Sequence, residues 1–221
     1  MTEPDLIAEA YRHCEQLVRT QDKDRFVAAL FAPAERRRFL LALYAFALEI
    51  ARVKTVVREP MAGTIRLQWW IEALSGLRAE EAAASPVMMA LQDAARQTGV
   101  SLAPLIAAVE ARQDELRGEP PIGAVSAVFA MAAQMLGADA TVIARAALDS
   151  GKAVSFIASD PTQARQSYSA LLGELKSVPE GALAAFLPAA LTPLLLRNPN
   201  APQWRRQLEM LRAAWFGFPT L

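Results

Sequence analysis

Apolar residues recur every three or four positions almost from end to end of this 221-residue chain. No stretch alternates β-branched and polar residues as a half-buried strand would. That single period constrains the fold more than any other feature, because a chain that repeats near 3.6 residues can bury its apolar side only as helices. Ala, Leu, Arg and Glu dominate, and all four favour helices. The class is therefore all-α. Helices are expected at about 4–20, 22–31, 34–57, 61–78, 86–98, 102–117, 122–137, 139–158, 161–176, 180–196 and 202–215. Asn198-Pro199-Asn200-Ala201-Pro202 breaks one helix and starts another, Gly118 and Gly137 suit C-caps, and Ser85 and Ser101 suit N-caps. Short connections make sequence neighbours antiparallel neighbours in space.

No linker-like break interrupts the period, so one domain over 1–221 is expected. Charge is balanced, with 23 Lys and Arg against 23 Asp and Glu, which gives no global reason to expect nucleic acid as a partner. One cysteine, Cys14, and one histidine, His13, exclude an intrachain disulfide, a Cys cluster for zinc, and any catalytic plan that needs two histidines. The start, MTEPDLIAEAYRHCEQ, is acidic and amphipathic rather than basic and then apolar, which predicts a cytoplasmic protein rather than a secreted one. The stretch PEGALAAFLPAALTPLLL is uncharged over its last sixteen residues but is interrupted by Pro188 and Pro193. It reads as a kinked core helix rather than a membrane span, with peripheral membrane contact kept as the minor alternative.

The segment from Asp24 to Leu74 carries the motifs. Phe26, Ala29, Leu30, Phe31, Pro33, Arg36 and Arg37 lead into Leu43-Tyr44-Ala45-Phe46, and a later helix carries Arg66-Leu67-Gln68-Trp69-Trp70. In that order these pieces resemble the squalene/phytoene synthase family. The resemblance implies an isoprenoid-synthase type of helical bundle, and active members of that family condense prenyl diphosphates. Such members carry an Asp-rich motif on the helix after Leu-Tyr-Ala-Phe. Its carboxylates, one turn apart, hold the Mg²⁺ that binds and ionises the diphosphate.

Here that position reads Ala51-Arg52-Val53-Lys54-Thr55, with every carboxylate missing and two cations in their place. For the second motif only Asp149 and Asp160 are at hand. Eleven residues on one helix would separate them by roughly 16 Å, too far to share a metal. Pro120 stands where relatives commonly have Tyr. Glu49-Ile50-Ala51-Arg52-Val53-Lys54, then Arg58-Glu59-Pro60-Met61 and Gly63 before Arg66-Leu67-Gln68-Trp69-Trp70, is more similar to the catalytically silent branch of the family, which includes assembly factors for respiratory complex I.

Glu49 lies in what reads as the most buried helix. It is expected to be a buried anchor paired with Arg52, one turn on, or with Arg66 from the next helix, since an unpaired buried carboxylate is costly. Leu67, Trp70 and Leu74 share a core face, whereas Trp69 either lines a pocket or covers the neighbouring helix. Arg36-Arg37-Arg38 reads as a solvated run pairing with Glu35, with Arg37 retaining a weaker claim on a ligand. Asp114 and Glu115 read as surface charges. His13 and Cys14 have no evident chemical partner. AVSAVFAMAAQMLG permits close helix packing and, by resemblance, would line the family's central cavity. Trp215, Phe216 and Phe218 form an apolar tail that either meets a partner or folds back on the core.

Together these readings predict a non-catalytic family member without a cofactor. Glu49, Arg52, Lys54, Arg66, Gln68, Trp69 and Arg37 are the candidates for a crevice that takes a protein partner or an isoprenoid or other lipid-like ligand. The resemblance points to complex I assembly. The alternatives are a prenyltransferase, which would need Mg²⁺, and an isoprenoid carrier or sensor, which an apolar pocket with Arg52 or Lys54 at its mouth would favour.

Overall fold

In a computed structural model, which describes residues 2–57 and 59–221, the chain is helical throughout its regular structure. The helices are α1 Glu3–Gln21, α2 Lys23–Leu30, α3 Ala34–Val56, α4 Pro60–Leu74, α5 Ala79–Ala84 and α6 Pro86–Thr98. They continue with α7 Ala103–Glu115, α8 Ile122–Met135, α9 Ala140–Ser155, α10 Pro161–Glu174, α11 Thr192–Arg197 and α12 Gln203–Phe216. A short 3₁₀ segment occupies Leu175–Ser177, and a longer one Glu180–Leu191.

The ends follow local chemistry. Proline occupies the first turn of α1, α4, α6, α7, α10 and α11, where its missing N–H costs nothing. Asp22, Ser85, Asp139 and Asp160 accept first-turn amide hydrogens of α2, α6, α9 and α10. Ser101 accepts from the Ala103 amide, one residue ahead of the N-cap Leu102. The six-residue α5 escapes the sequence reading because one turn and a half cannot display a period. The expected helix over 180–196 divides into 3₁₀ and α parts. Pro188 lies inside the 3₁₀ part and Pro193 in the first turn of α11, so neither can donate to a continuous α ladder.

Packing explains the all-apolar stretch. Every residue from Phe39 to Ala47 is buried, because α3 is covered by α1, α6 and α8 on different sides. α7, α8, α9 and α10 then stack in sequence, and α4 covers α7. Phe129 of α8 and Phe186 of the 180–191 segment stack at 6.0 Å inside this core. The segment 180–197 is long and apolar enough to cross a membrane, yet more than half of it is buried within the fold.

α8 and α9 approach most closely at Gly151. A Cβ there would overlap the Ser126 hydroxyl and lie 2.8 Å from the Ser126 amide nitrogen. A second, smaller cluster joins Ala28 of α2, Leu187, Ala190 and Leu191 to Met210 and Ala213 of α12. Asp24 fixes the same junction, pairing with Arg206 and accepting a hydrogen bond from Gln203 at 2.9 Å.

Cys14 lies in the main core with no exposed surface, and burial pushes its thiol up to about 12. The folded state therefore keeps its proton where the unfolded thiol, near 8.5, has lost it, so Cys14 contributes to a fall in stability as pH rises from about 8.5 toward 12. In a thiol titration at pH 9 the native protein is expected to resist alkylation at Cys14, with full modification only in denaturant. Rapid native labelling would contradict this burial.

Candidate functional site

The C-terminal half of α3 runs between α4 and α7 and still buries Ile50 and Val53, while each flank presents a different polar arrangement. Facing α4, a crevice of about 340 Å³ is lined by Glu49, Arg52, Val53 and Val56 from α3 and by Arg66, Trp69 and Trp70 from α4. The 3.6-residue repeat produces this lining, since 49, 52, 53 and 56 fall on one face of α3 and 66, 69 and 70 on one face of α4.

Glu49 is not the buried anchor expected. Its side chain is 34% exposed, because α3 at that point buries only the side that carries Ile50 and Val53, and its carboxylate meets Arg52 Nη1 at 3.4 Å. An ion pair this exposed adds little stability, typically below ~1 kcal/mol, so its role is to set the local charge rather than to hold the helices. Arg66 stands opposite on α4, exposed. The crevice thus combines two guanidinium groups and one carboxylate with an aromatic wall.

That wall is fixed from behind. Phe46, Trp70 and Trp69 form an edge-to-face ladder, with ring centroids 5.3 and 5.0 Å apart. Trp70 closes over the core beside fully buried Leu67. The Trp69 indole N–H donates to Glu81 of α5 at 2.8 Å. Arg78 joins the same cluster by donating to Glu72 at 2.5 Å and Glu81 at 2.8 Å. These bonds hold both carboxyls below their usual range: Arg78 is the main cause for Glu72, and Trp69 followed by Arg78 for Glu81. Trp69 therefore covers its neighbour and lines the crevice at once.

Not every candidate joins this crevice. Gln68 turns to the opposite side of α4 and donates to Glu72 at 3.2 Å. Arg37 caps α2 instead, donating to the carbonyls of Ala29 and Leu30 at 3.3 and 2.9 Å. Its two neighbours likewise depart from the solvated run expected. Arg36 donates to the Met135 carbonyl at 2.8 Å at the end of α8, and Arg38 reaches Gln97 while lying over Tyr11. Packing against three different elements fixes these side chains, which a one-helix view cannot anticipate.

Facing α7, Lys54 Nζ meets Glu115 Oε1 at 3.4 Å, and Arg112 Nη1 meets Glu115 Oε2 at 2.6 Å. Arg112 and Glu115 are only 12% and 13% exposed, so Glu115 is not the surface charge that the sequence suggests, whereas Asp114 is, paired with Arg117 at 2.7 Å. Burial draws the Arg112 guanidinium below its usual range, opposed by Glu115. The α3–α7 cross-link through Lys54, Glu115 and Arg112 is the arrangement that sequence reasoning missed. The i,i+3 spacing of Arg112 and Glu115 was a signal for the pair, but nothing local indicated its burial.

The residues present do not fit a magnesium–diphosphate centre. Arg52 and Lys54 occupy the first motif, and both are engaged by carboxylates. Asp149 and Asp160 do not share a helix either, because α9 ends at Ser155 and Asp160 caps α10 through the amides of Thr162 and Gln163. Among the described residues, no group of three or more His, Cys, Asp or Glu side chains is placed to hold a metal ion. Arg58, at the turn before α4, lies outside the described residues.

Residues 18–158, well over half of the chain, match the family model described as squalene/phytoene synthase. The chain belongs to that family. A solved structure, the crystal structure of a dehydrosqualene synthase in complex with ligand, superposes with a TM-score of 0.76 over 94% of this chain and 96% of that one. At 14% identity, that likeness shows the isoprenoid-synthase fold alone. Among curated proteins, NADH dehydrogenase (ubiquinone) complex I, assembly factor 6 of Rattus norvegicus is 30% identical over 110 residues, half of this chain and 33% of that protein. Its Homo sapiens counterpart is 30% identical over 104 residues, 47% of this chain and 31% of that protein. The chain thus spans about a third of the length of these relatives.

Proposed function

We propose that this is a cytoplasmic, single-domain, non-catalytic member of the squalene/phytoene synthase family, and that it acts in the assembly of respiratory complex I by binding a protein partner at the α3–α4 crevice. One observation carries this reading: where the diphosphate chemistry needs magnesium-binding carboxylates, Arg52 and Lys54 stand, each paired with an acid. Two cations there repel a divalent metal, and without the metal the departing diphosphate has nothing comparable to stabilise it. Similarity to proteins named as complex I assembly factors supports the direction of the proposal. The lining of the crevice is suited to a partner that presents a carboxylate or phosphate beside an apolar group. Arg52 and Arg66 would take the anion, and Trp69, held by Glu81, would serve as a rigid apolar anchor.

Two measurements test it together. Purified protein incubated with farnesyl diphosphate, with and without Mg²⁺, is expected to form no condensation product. Deleting the gene from its own organism is expected to lower NADH:quinone oxidoreductase activity. Wild-type protein should restore that activity, and the Trp69→Ala/Arg52→Glu variant should not, with partner capture weakened roughly tenfold or more. Magnesium-dependent product formation would sink the non-catalytic reading. Tight metal-independent binding of the diphosphate, with complex I unaffected by deletion, would replace partner binding by carriage of an isoprenoid.

A further inference from the structure

α12 packs its inner face, Met210 and Ala213, against α2 and the 180–191 segment. Its outer face is apolar. Trp204, Leu208, Leu211 and Trp215 follow one another at spacings of four, three and four, forming a continuous stripe about 16 Å long, and all four are exposed. Phe216, one position on and so about 100° round the helix, adds a second exposed aromatic ring at the C-terminal end, on the side of Arg212. Trp215 and Phe216 are 74% and 86% exposed, the most exposed aromatic side chains among the described residues.

The chain beyond α12 does not cover this face. Gly217, at φ 89°, turns the backbone away from the helix, and the tail returns to the core. There Phe218 packs against both apolar clusters, and Tyr168 donates to the Pro219 carbonyl at 2.8 Å. The sequence left open whether the tail is free or folded back, and the structure divides it: Phe218 goes inward while Trp215 and Phe216 stay outside.

The flanking charge selects the occupant. Arg205 and Arg212 lie along one side of the stripe, both exposed, with the Arg205 guanidinium over the Trp204 ring at 5.2 Å. Neither makes an ion pair among the described residues, whereas Arg206 is engaged by Asp24. Glu209 is half-buried farther round, toward Tyr168. A second copy fits poorly. An antiparallel pairing through this stripe would set Arg205 and Arg212 against the same arginines, and a parallel one would set them against Gln207 and Ala214. A helical peptide partner would need a groove, but these side chains stand out from a single helix face and line no part of the α3–α4 crevice.

Tryptophans at both ends of an apolar stripe, with arginines alongside, match the requirements of an anionic bilayer interface. The indoles settle at headgroup level, the leucines reach the acyl boundary, and the arginines meet lipid phosphates. We propose that α12 docks this protein onto an anionic membrane surface, lying flat in the interface through Trp204, Leu208, Leu211, Trp215 and Phe216. This site is separate from the α3–α4 crevice and stands or falls independently of the function proposed for it.

The test is co-sedimentation of the full chain with phosphatidylcholine vesicles, with and without an equal part of phosphatidylglycerol. Binding to the anionic vesicles is expected, weakening as salt is raised. Arg205→Glu/Arg212→Glu should reduce it by about fivefold or more per arginine, and Trp204→Ser/Trp215→Ser by roughly tenfold or more. All four side chains point outward, so both variants should retain the wild-type circular dichroism and melting temperature. Absence of binding to either vesicle overturns the proposal, as does binding that neither variant weakens. A concentration-dependent dimer that the tryptophan variant abolishes, without vesicle binding, would assign the face to a second copy instead.

Discussion

Glu115→Ala is expected to destabilise the protein by about 3 kcal/mol, which for a chain of this size lowers the melting temperature by roughly 6–12 °C. The carboxylate accepts from Arg112 at 2.6 Å and Lys54 at 3.4 Å, and removing it leaves the nearly buried Arg112 guanidinium without its counter-charge. The Nε of Arg112 has no partner as it is, so the group has no alternative bond to fall back on. Lys54 behaves differently. It is 52% exposed and regains water when its partner is lost, so Lys54→Ala should cost less than about 1 kcal/mol. The double replacement Arg112→Met/Glu115→Leu should recover most of the loss, because an apolar pair of similar volume often matches a buried ion pair. Thermal and urea unfolding of the three variants checks the series. If Glu115→Ala melted with the wild type, the cross-link between α3 and α7 would have no energetic role.

Gly151→Ala should cost a similar amount, about 3 kcal/mol, through packing rather than charge. The added methyl group would collide with the Ser126 hydroxyl and press on the Ser126 nitrogen and Cα at 2.8 and 2.9 Å. Two of those three atoms belong to the backbone, so relief requires α8 and α9 to move apart. Ser126→Gly should therefore rescue the variant only in part. Gly173 in α10 provides the opposite case. Nothing lies within 4 Å of a Cβ built there, and the residue is exposed in a helix, so Gly173→Ala should gain up to about 1 kcal/mol. Equal effects of alanine at the two positions would contradict the close crossing of α8 and α9.

How far the site could be read from the chain depends on how local each interaction is. Glu49 and Arg52 are one turn apart, and their pairing follows from helix geometry alone. Their exposure does not, because it depends on where α4 and α7 stop covering α3. The apolar run around Glu49 made that position look buried. Trp69 illustrates the same limit, since the residue that orients it, Glu81, lies on a helix too short to leave a periodic trace. The partners of Arg36 and Arg38 are 99 and 59 residues away in sequence, on elements that no local rule links to α3.

By itself, the sequence determined the helical class and nearly all helix positions, and its resemblance to the synthase family exposed the cations that stand where that family carries metal-binding carboxylates. Period, caps, prolines and residue identity are local properties and need no neighbours to be read. Only the tertiary structure decided that Glu115 is largely buried while Asp114 is not, and that α12 keeps an apolar face outside. Each of these depends on which surfaces meet across large separations in the chain. A helix has the same period whichever face is covered, so burial is settled only when the partners pack.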